Sequence, residues 1–433
     1  MANYLAIDIG ASSGRHIISN NSKLHEVYRF KTGFVEENGR IICDLKVLKK
    51  NVIEGIRLAF EHFGEIQSLA IDTWGVDYIL MNGDKEILPC VSYRDNRTES
   101  VVDKVHNIIP FHELYSKTGI QFQPFNTIYQ LFEDKLSSKL QQATDFLMLP
   151  EYLNYVLTGK KVKEYTNATT TGLVNVTTKS FDTQIIEKLG LPTHIFYELK
   201  EAGTIVGELT PDIQKQVGGN SNVLLCLSHD TASAVYGIPM EDESPYLSSG
   251  TWGLLGVTQK NAHTDKGSMS ANYSNEGGIN KTFRYQKNIT GMWAVNRVIE
   301  ELNVSDVQIF VELAKQSAFC ETVNLNDGTF LNPKSFVKAI NQTLQAYGKP
   351  TPKSTGDIAN CIFHSFAQLY KEAINQLEQN VGKTYKKLYI VGGGAKNQYL
   401  NNLTEQYTKK QIIALPIEAT AMGNLKVQQE VIL

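Results

Sequence analysis

Asp8-Ile9-Gly10-Ala11-Ser12-Ser13-Gly14-Arg15 follows directly on the apolar run Tyr4 to Ile7. It reads as a strand that ends in a turn of glycines and hydroxyls, with Arg15 to Ser19 returning as a hairpin partner. Leu24 to Phe30 fits a third strand. Asp44 then suits a helix N-cap, and Leu48, Val52, Ile56, Ala59, Phe60 and Phe63 repeat at helical spacing behind it, up to a stop at Gly64. Ile66 to Ile71 is the next strand and leads into Asp72-Thr73-Trp74-Gly75. The order is β-β-β-α-β, which is not the strict alternation of a dinucleotide-binding unit.

A similar stretch occurs in the second half. Ser248-Ser249-Gly250-Thr251-Trp252-Gly253 follows the strand-like Pro245-Tyr246-Leu247, and Leu254 to Val257 forms the return strand. Further on, Lys387 to Val391 feeds Gly392-Gly393-Gly394, Ile412 to Leu415 is a short strand, and Glu418 to Val431 a last helix. The polar stretch Pro239-Met240-Glu241-Asp242-Glu243 marks the expected boundary, giving lobes 1–240 and 241–433. The fold class expected is α/β: two tandem actin-like (ribonuclease H-like) ATPase lobes with an active-site cleft between them. The polar segment Tyr165 to Thr178 fits either a cleft lining or an exposed loop.

Bulk composition narrows the partners. The 433 residues suit two domains, and a net charge of -3 gives no basic footprint for nucleic acid. No apolar run reaches the roughly 20 residues that span a bilayer. The N-terminus shows no export signal. The five scattered cysteines read as buried free thiols in a reducing compartment, so a cytoplasmic location is expected.

Two familiar phosphate-binding motifs are excluded. Gly382-Lys383-Thr384 lacks the upstream glycine of a P-loop, since Leu377 stands there. Gly392-x-Gly394 lacks the third glycine of a dinucleotide fingerprint, since Asn397 stands there. Glycine turns offer another route, because successive N–H groups form an anion nest. Ala11, Ser12, Ser13, Gly14 and Arg15 suit this, as do Gly250 with Thr251 and Gly393 with Gly394, although each also fits a plain tight turn. Asp8 is an anion and makes sense near phosphates if Mg²⁺ sits between them, held through water.

Asp230, after the strand-like Asn222 to Leu227, fits both a helix cap and a general base that takes a proton from an alcohol. A Ser228-His229-Asp230 triad is rejected, since three consecutive residues do not converge in the required geometry. Trp74 and Asp77, in Asp72-Thr73-Trp74-Gly75-Val76-Asp77, and Arg94, in Tyr93-Arg94-Asp95-Asn96-Arg97-Thr98, offer carboxylates, guanidinium groups and an aromatic face suited to a sugar. The second stretch also fits a solvated charge cluster.

These segments, together with Asn275-Glu276-Gly277-Gly278 and Lys287-Asn288-Ile289-Thr290-Gly291-Met292-Trp293, resemble the FGGY family of carbohydrate kinases over nearly the whole chain. The Asp72–Asp77 and Tyr93–Thr98 pair is similar to the branch acting on L-rhamnulose. The resemblance implies transfer of the ATP γ-phosphate to the 1-hydroxyl of that ketose, with Asp230 as base. It implies sugar contacts at Gly75, His229, Thr231 and Asn288, and ATP contacts at Ala11 to Arg15, Thr251 and Gly394. Asn296 stands where the family carries a glutamine that touches ATP. The C-terminal tail is expected to be shorter than is usual in the family. A small-molecule sugar and ATP are thus the expected partners, with no nucleic acid and no membrane, and a monomer or homodimer as the assembly. A kinase for another ketose such as L-fuculose, or a non-catalytic sensor on the same fold, would share the phosphate turns.

Overall fold

A computed structural model describes residues 2–21, 23–331, 333–415 and 417–432. Contacts divide it into two compact units. The first takes in the chain up to Pro239, Gln259–Tyr285 and the stretch from Glu418 onward; the second takes in Met240–Thr258 and Gln286–Ile417.

In the first unit β1 (Tyr4–Ile9), β2 (Ser13–Asn20) and β3 (Lys23–Lys31) form an antiparallel meander. Helix α1 (Leu45–Phe63) follows, begun by the Asp44 carboxylate accepting from the amides of Lys46 and Val47 and ended at Gly64. Next come β4 (Ser68–Thr73), α2 (Tyr165–Thr169), β5 (Ile205–Glu208), β6 (Asn222–Leu224) and α3 (Asp230–Gly237). The sheet order is β5-β6-β4-β1-β2-β3, with β6, β4 and β1 parallel. Leu5, Ile7 and Ile9 alternate to one face and meet Leu48, Val52 and Ile56 of α1. The opposite face, through Tyr4, Ala6 and Ile17, needs another cover.

The second unit repeats the scheme. β7 (Tyr246–Ser249) pairs antiparallel with β8 (Gly253–Gln259). Helices α4 (Trp293–Glu301), α5 (Val307–Lys315) and α6 (Thr355–Val381) precede β9 (Lys387–Val391), which runs parallel to β7. Helix α7 (Gln398–Thr408) leads to β10 (Gln411–Leu415), parallel to β9. Thus β8-β7-β9-β10 repeats the directions of β2-β1-β4-β6, which is the ribonuclease H-like pattern expected.

The last helix, α8 (Ala419–Ile432), packs in the first unit. Ala421 and Leu425 cover Tyr4, Ala6 and Ile17, the face that α1 leaves open. The compact units therefore depart from a single cut at 240/241: Gln259–Tyr285 and the stretch from Glu418 onward join the first unit. For α8 the reason is side-chain fit to a distant sheet, which helical periodicity does not encode. Other expectations shift in detail. A short hairpin, Tyr78–Asn82 with Lys85–Glu86, follows Trp74, and the strand before Asp230 stops at Leu224 rather than Leu227. Four cysteines are buried free thiols, while Cys320 is an exposed one. Among the described residues no helix is long and apolar enough to cross a membrane.

Helices α3 and α8 cross at their backbones. A Cβ on Gly423 would lie 1.9 Å from the Ser233 carbonyl oxygen, and one on Gly237 would lie 2.0 Å from that of Ala419. Small residues at i and i+4 on both helices, Ser233/Gly237 and Ala419/Gly423, allow this approach. Gly423→Ala is expected to cost about 1–3 kcal/mol or more, because neither backbone can yield locally. Gly328→Ala, where an added Cβ meets nothing within 4 Å, should stay within about 0.5 kcal/mol. Urea unfolding of the two variants checks the contrast.

Candidate active site

The first unit gathers its polar residues at the C-terminal ends of its parallel strands. Asp8 and Asp72 are register partners on β1 and β4. Oδ2 of Asp8 accepts from Nε of Arg15 at 2.9 Å and from Nη2 at 2.7 Å, while Nη1 of Arg15 donates to Glu418. Arg15, expected at ATP, is thus held between two carboxylates. Burial pushes the Asp8 carboxyl up; Arg15 opposes this, and Asp230 and Glu418 add to it. Asp72 is driven well above the carboxylate range by burial and then by Asp8. Asn424 donates to its Oδ2 at 2.6 Å, while Oδ1 is buried without a hydrogen-bond partner. Among the described residues no three His, Cys, Asp or Glu side chains are set to cage a metal directly. Paired carboxylate oxygens under mutual repulsion nevertheless suit a hard dication held through water.

The Gly10–Ser13 turn is closed by a Gly10 N–H donating to the Ser13 carbonyl at 3.1 Å. Ala11, Ser12 and Ser13 lie at or near its surface. Gly14 has a different reason to be glycine: a Cβ there would strike the Phe30 ring at 2.2 Å.

Asp230 opens α3, with His229 in the cap position. The capping expectation therefore fails by one residue. Oδ1 of Asp230 instead accepts from the amide of Thr231 at 2.6 Å and its hydroxyl at 3.0 Å. Its side chain keeps 28% exposure. Nδ1 of His229 lies 3.0 Å from Nη2 of Arg284 and 3.2 Å from Oε2 of Glu276. Burial pushes Glu276 up, but Arg284 and His229 outweigh it and bring the carboxyl down to about 2.

The Asp72–Asp77 segment divides by role. Gly75 lies against Thr170, where a Cβ would meet the side chain at 2.9 Å. Val76 has φ +67°, and the Asp77 amide donates to the Gly75 carbonyl at 2.9 Å, so residues 75–77 form a strained γ-turn about a β-branched residue. The turn is braced by Val76 N–H to Thr170 Oγ1 at 3.0 Å and by Thr127 Oγ1 to the Val76 carbonyl at 2.7 Å. Asp77 does not face a ligand. It is 1% exposed, and its oxygens accept from the Trp74 indole at 2.9 Å and the Tyr93 amide at 2.8 Å. Trp74 is likewise buried, packed on Phe34 with ring centroids 5.3 Å apart. Arg94 stays exposed, stacks 4.4 Å over the Phe34 ring and donates to the Ala11 carbonyl at 3.0 Å. Its neighbours form no solvated cluster, since Arg97 is buried and bonded to Glu133 and Asp134 at 2.7 Å each.

In the second unit the Ser248–Gly253 and Gly392–Gly394 turns come together. Gly392, at φ +84°, would bring a Cβ within 2.9 Å of the Ser249 carbonyl oxygen, and one on Gly394 would lie 2.0 Å from Ser249 Oγ. Beside them lies a cavity of about 580 Å³, a size that suits a small ligand or cofactor. Gly250, Thr251, Asn296, Gly393 and Gly394 line it. Gln308, Val311 and Lys315 of α5, with Asn397 and Tyr399, are among its other lining residues and were not foreseen. Asn397 Nδ2 is buried without a partner, while its Oδ1 caps α7 through the Leu400 amide. Asn288 is exposed and belongs to this unit.

Sequence comparison divides the chain at a single point near residue 240, whereas the contacts return two later stretches to the first unit. The model described as "FGGY family of carbohydrate kinases, N-terminal domain" matches residues 3–237, and its C-terminal counterpart matches residues 246–429. A rhamnulokinase of Oceanobacillus iheyensis is 40% identical, covering 98% of this chain and 92% of its own length. One of Halalkalibacterium halodurans is 42% identical with the same coverage. A ligand-bound xylulose kinase of Lactobacillus acidophilus superposes with a TM-score of 0.85 at 17% identity, covering 100% of this chain and 89% of its own; this likeness concerns the fold.

Asp77 carries a pH signature. Burial raises its carboxyl from 3.8 to about 7. The folded state then holds a proton that the unfolded state releases, so this contribution to stability is complete below pH 3.8 and is lost as pH rises towards 7. Asp77→Asn is expected to shrink the fall in unfolding free energy between pH 5 and pH 8 by on the order of 2 kcal/mol. Urea titrations at the two pH values measure it, and an unchanged fall would contradict the assignment.

Proposed function

The chain belongs to the FGGY family of carbohydrate kinases, and from that premise we propose that it transfers the γ-phosphate of ATP to the 1-hydroxyl of L-rhamnulose. The observation that carries the chemistry is the Asp230 carboxylate, partly open at the head of α3 and held by Thr231. A hydroxyl is a weak nucleophile until its proton has somewhere to go. Asp230 takes that proton as the oxygen bonds to the γ-phosphorus, and the bond to ADP breaks. The choice of ketose rests on relatives about 40% identical over nearly the whole chain that carry the name rhamnulokinase.

Gly75, His229, Thr231 and Arg94 are the proposed sugar contacts. Trp74 and Asp77 act from behind, by fixing the turn that presents Gly75. The nucleotide is assigned to the 580 Å³ cavity, whose glycine turns offer backbone N–H groups to phosphate and whose Asn296, Gln308 and Asn397 offer polar atoms to the nucleoside. Ala11 to Gly14 offer the same kind of backbone donors to phosphate. Asp8 would hold Mg²⁺ through water, and such an ion neutralises charge on the transferring phosphate.

ADP release measured against a panel of ketoses tests the reading. L-rhamnulose should be preferred, and a preference for another ketose would overturn the substrate assignment. Asp230→Asn should lower kcat about 10²–10⁴-fold while nucleotide affinity stays within about twofold. Wild-type turnover in that variant would remove Asp230 from the mechanism.

A further inference from the structure

Glu164 is a fully buried carboxylate with no part in the chemistry above, at 0% exposure. Its Oε1 accepts from the Thr166 amide at 2.8 Å. Its Oε2 accepts from the Thr166 hydroxyl at 2.6 Å, the Asn167 amide at 3.0 Å, the Ser228 hydroxyl at 2.6 Å and the Ser228 amide at 3.3 Å. All five partners act as donors, which matches an acceptor-only carboxylate and nothing else of that shape. The stretch that follows grips the same target. Asn167 Nδ2 donates to the Ser228 carbonyl at 3.2 Å, and Thr166 Oγ1 accepts from the His229 amide at 3.4 Å.

These bonds replace a missing ladder. Strand β6 ends at Leu224, five residues short of His229. Beyond it the backbone keeps the Thr73 amide on the Ser228 carbonyl at 2.9 Å and a bridge between Thr73 and His229. Ser228 is therefore fixed at its amide, carbonyl and hydroxyl, two residues before Asp230. The same stretch holds two other pieces of the site. Thr170 Oγ1 takes the Val76 amide of the strained turn, and Thr169 Oγ1 takes the Gly277 amide at 2.8 Å, next to Glu276.

We infer that Glu164 is a positioning residue for phosphoryl transfer: it locks Ser228 and His229 so that the Asp230 carboxylate meets the acceptor hydroxyl. The inference rests on Asp230 being the base. Glu164→Gln keeps the shape but turns an amide NH₂ toward groups that are themselves donors. Glu164→Asp keeps an acceptor-only group one methylene short. Ser228→Ala removes one donor and leaves Glu164 in place.

Steady-state kinetics on the full chain with L-rhamnulose and ATP–Mg²⁺, beside thermal melts and titration with ATP alone, tests it. Glu164→Gln is expected to lower kcat about 10–100-fold with ATP affinity within twofold, and to displace the acid limb of the kcat–pH profile. Glu164→Asp should recover part of that loss. Ser228→Ala should cost several-fold and add little on top of Glu164→Gln. A folded Glu164→Gln with kcat within twofold of wild type and an unmoved pH profile would reduce Glu164 to a stability role and overturn the inference. Should that variant not fold, an unchanged kcat in Ser228→Ala and Glu164→Asp would overturn it equally. If Asp230→Asn loses turnover while the Glu164 and Ser228 variants keep theirs, only the positioning role falls; full turnover in Asp230→Asn sinks the base and this inference with it.

Discussion

The close crossing of α3 and α8 is the constraint on which the first unit depends. Two backbones meet where Gly237 and Gly423 leave no Cβ between them. Everything polar at the strand ends is referred to that contact. Helix α3 begins with Asp230. Helix α8 carries Asn424 to Asp72, and Gln428 to Ser68 and the Leu5 carbonyl. Just ahead of α8, Glu418 holds Arg15 on Asp8. One helix presents the base, and the other steadies the carboxylates around it.

Those carboxylates are crowded at a cost. Asp8 and Asp72 are buried in register, and burial and repulsion push both carboxyls up. Arg15 offsets part of this at Asp8, and the single amide of Asn424 offsets less at Asp72. Such conflict is tolerated where function demands it. The Val76 turn is a second instance, since a β-branched residue at positive φ persists only when its surroundings insist on it.

What could be read from sequence was local. The first hairpin, the Asp44 cap and α1 follow from turn chemistry and periodicity within a few residues. The glycine turns and Asp230 were legible as chemistry because phosphate and proton transfer restrict residue choice so tightly. Three things were not legible. The residues of α8 permit a helix, but they do not say which sheet it covers. Asp77 looked like a ligand because carboxylates are usually exposed, and only its two buried donors show it facing inward. The Thr-rich segment after Glu164 fitted either a cleft lining or an exposed loop, yet it is interior as far as Val174; hydroxyls of Thr166 and Thr169 accept from amides some 60 to 110 residues away.

The return of α8 to the first sheet also fixes an order of assembly. The strands β1, β4 and β6 are all made before the second unit, but the face formed by Tyr4, Ala6 and Ile17 stays bare until residues beyond Glu418 arrive. A chain emerging from the ribosome must therefore complete the whole intervening unit before the first can close. The first unit is begun first and finished last, and the carboxylate cluster around Asp8 is in effect the final piece of the molecule to be set.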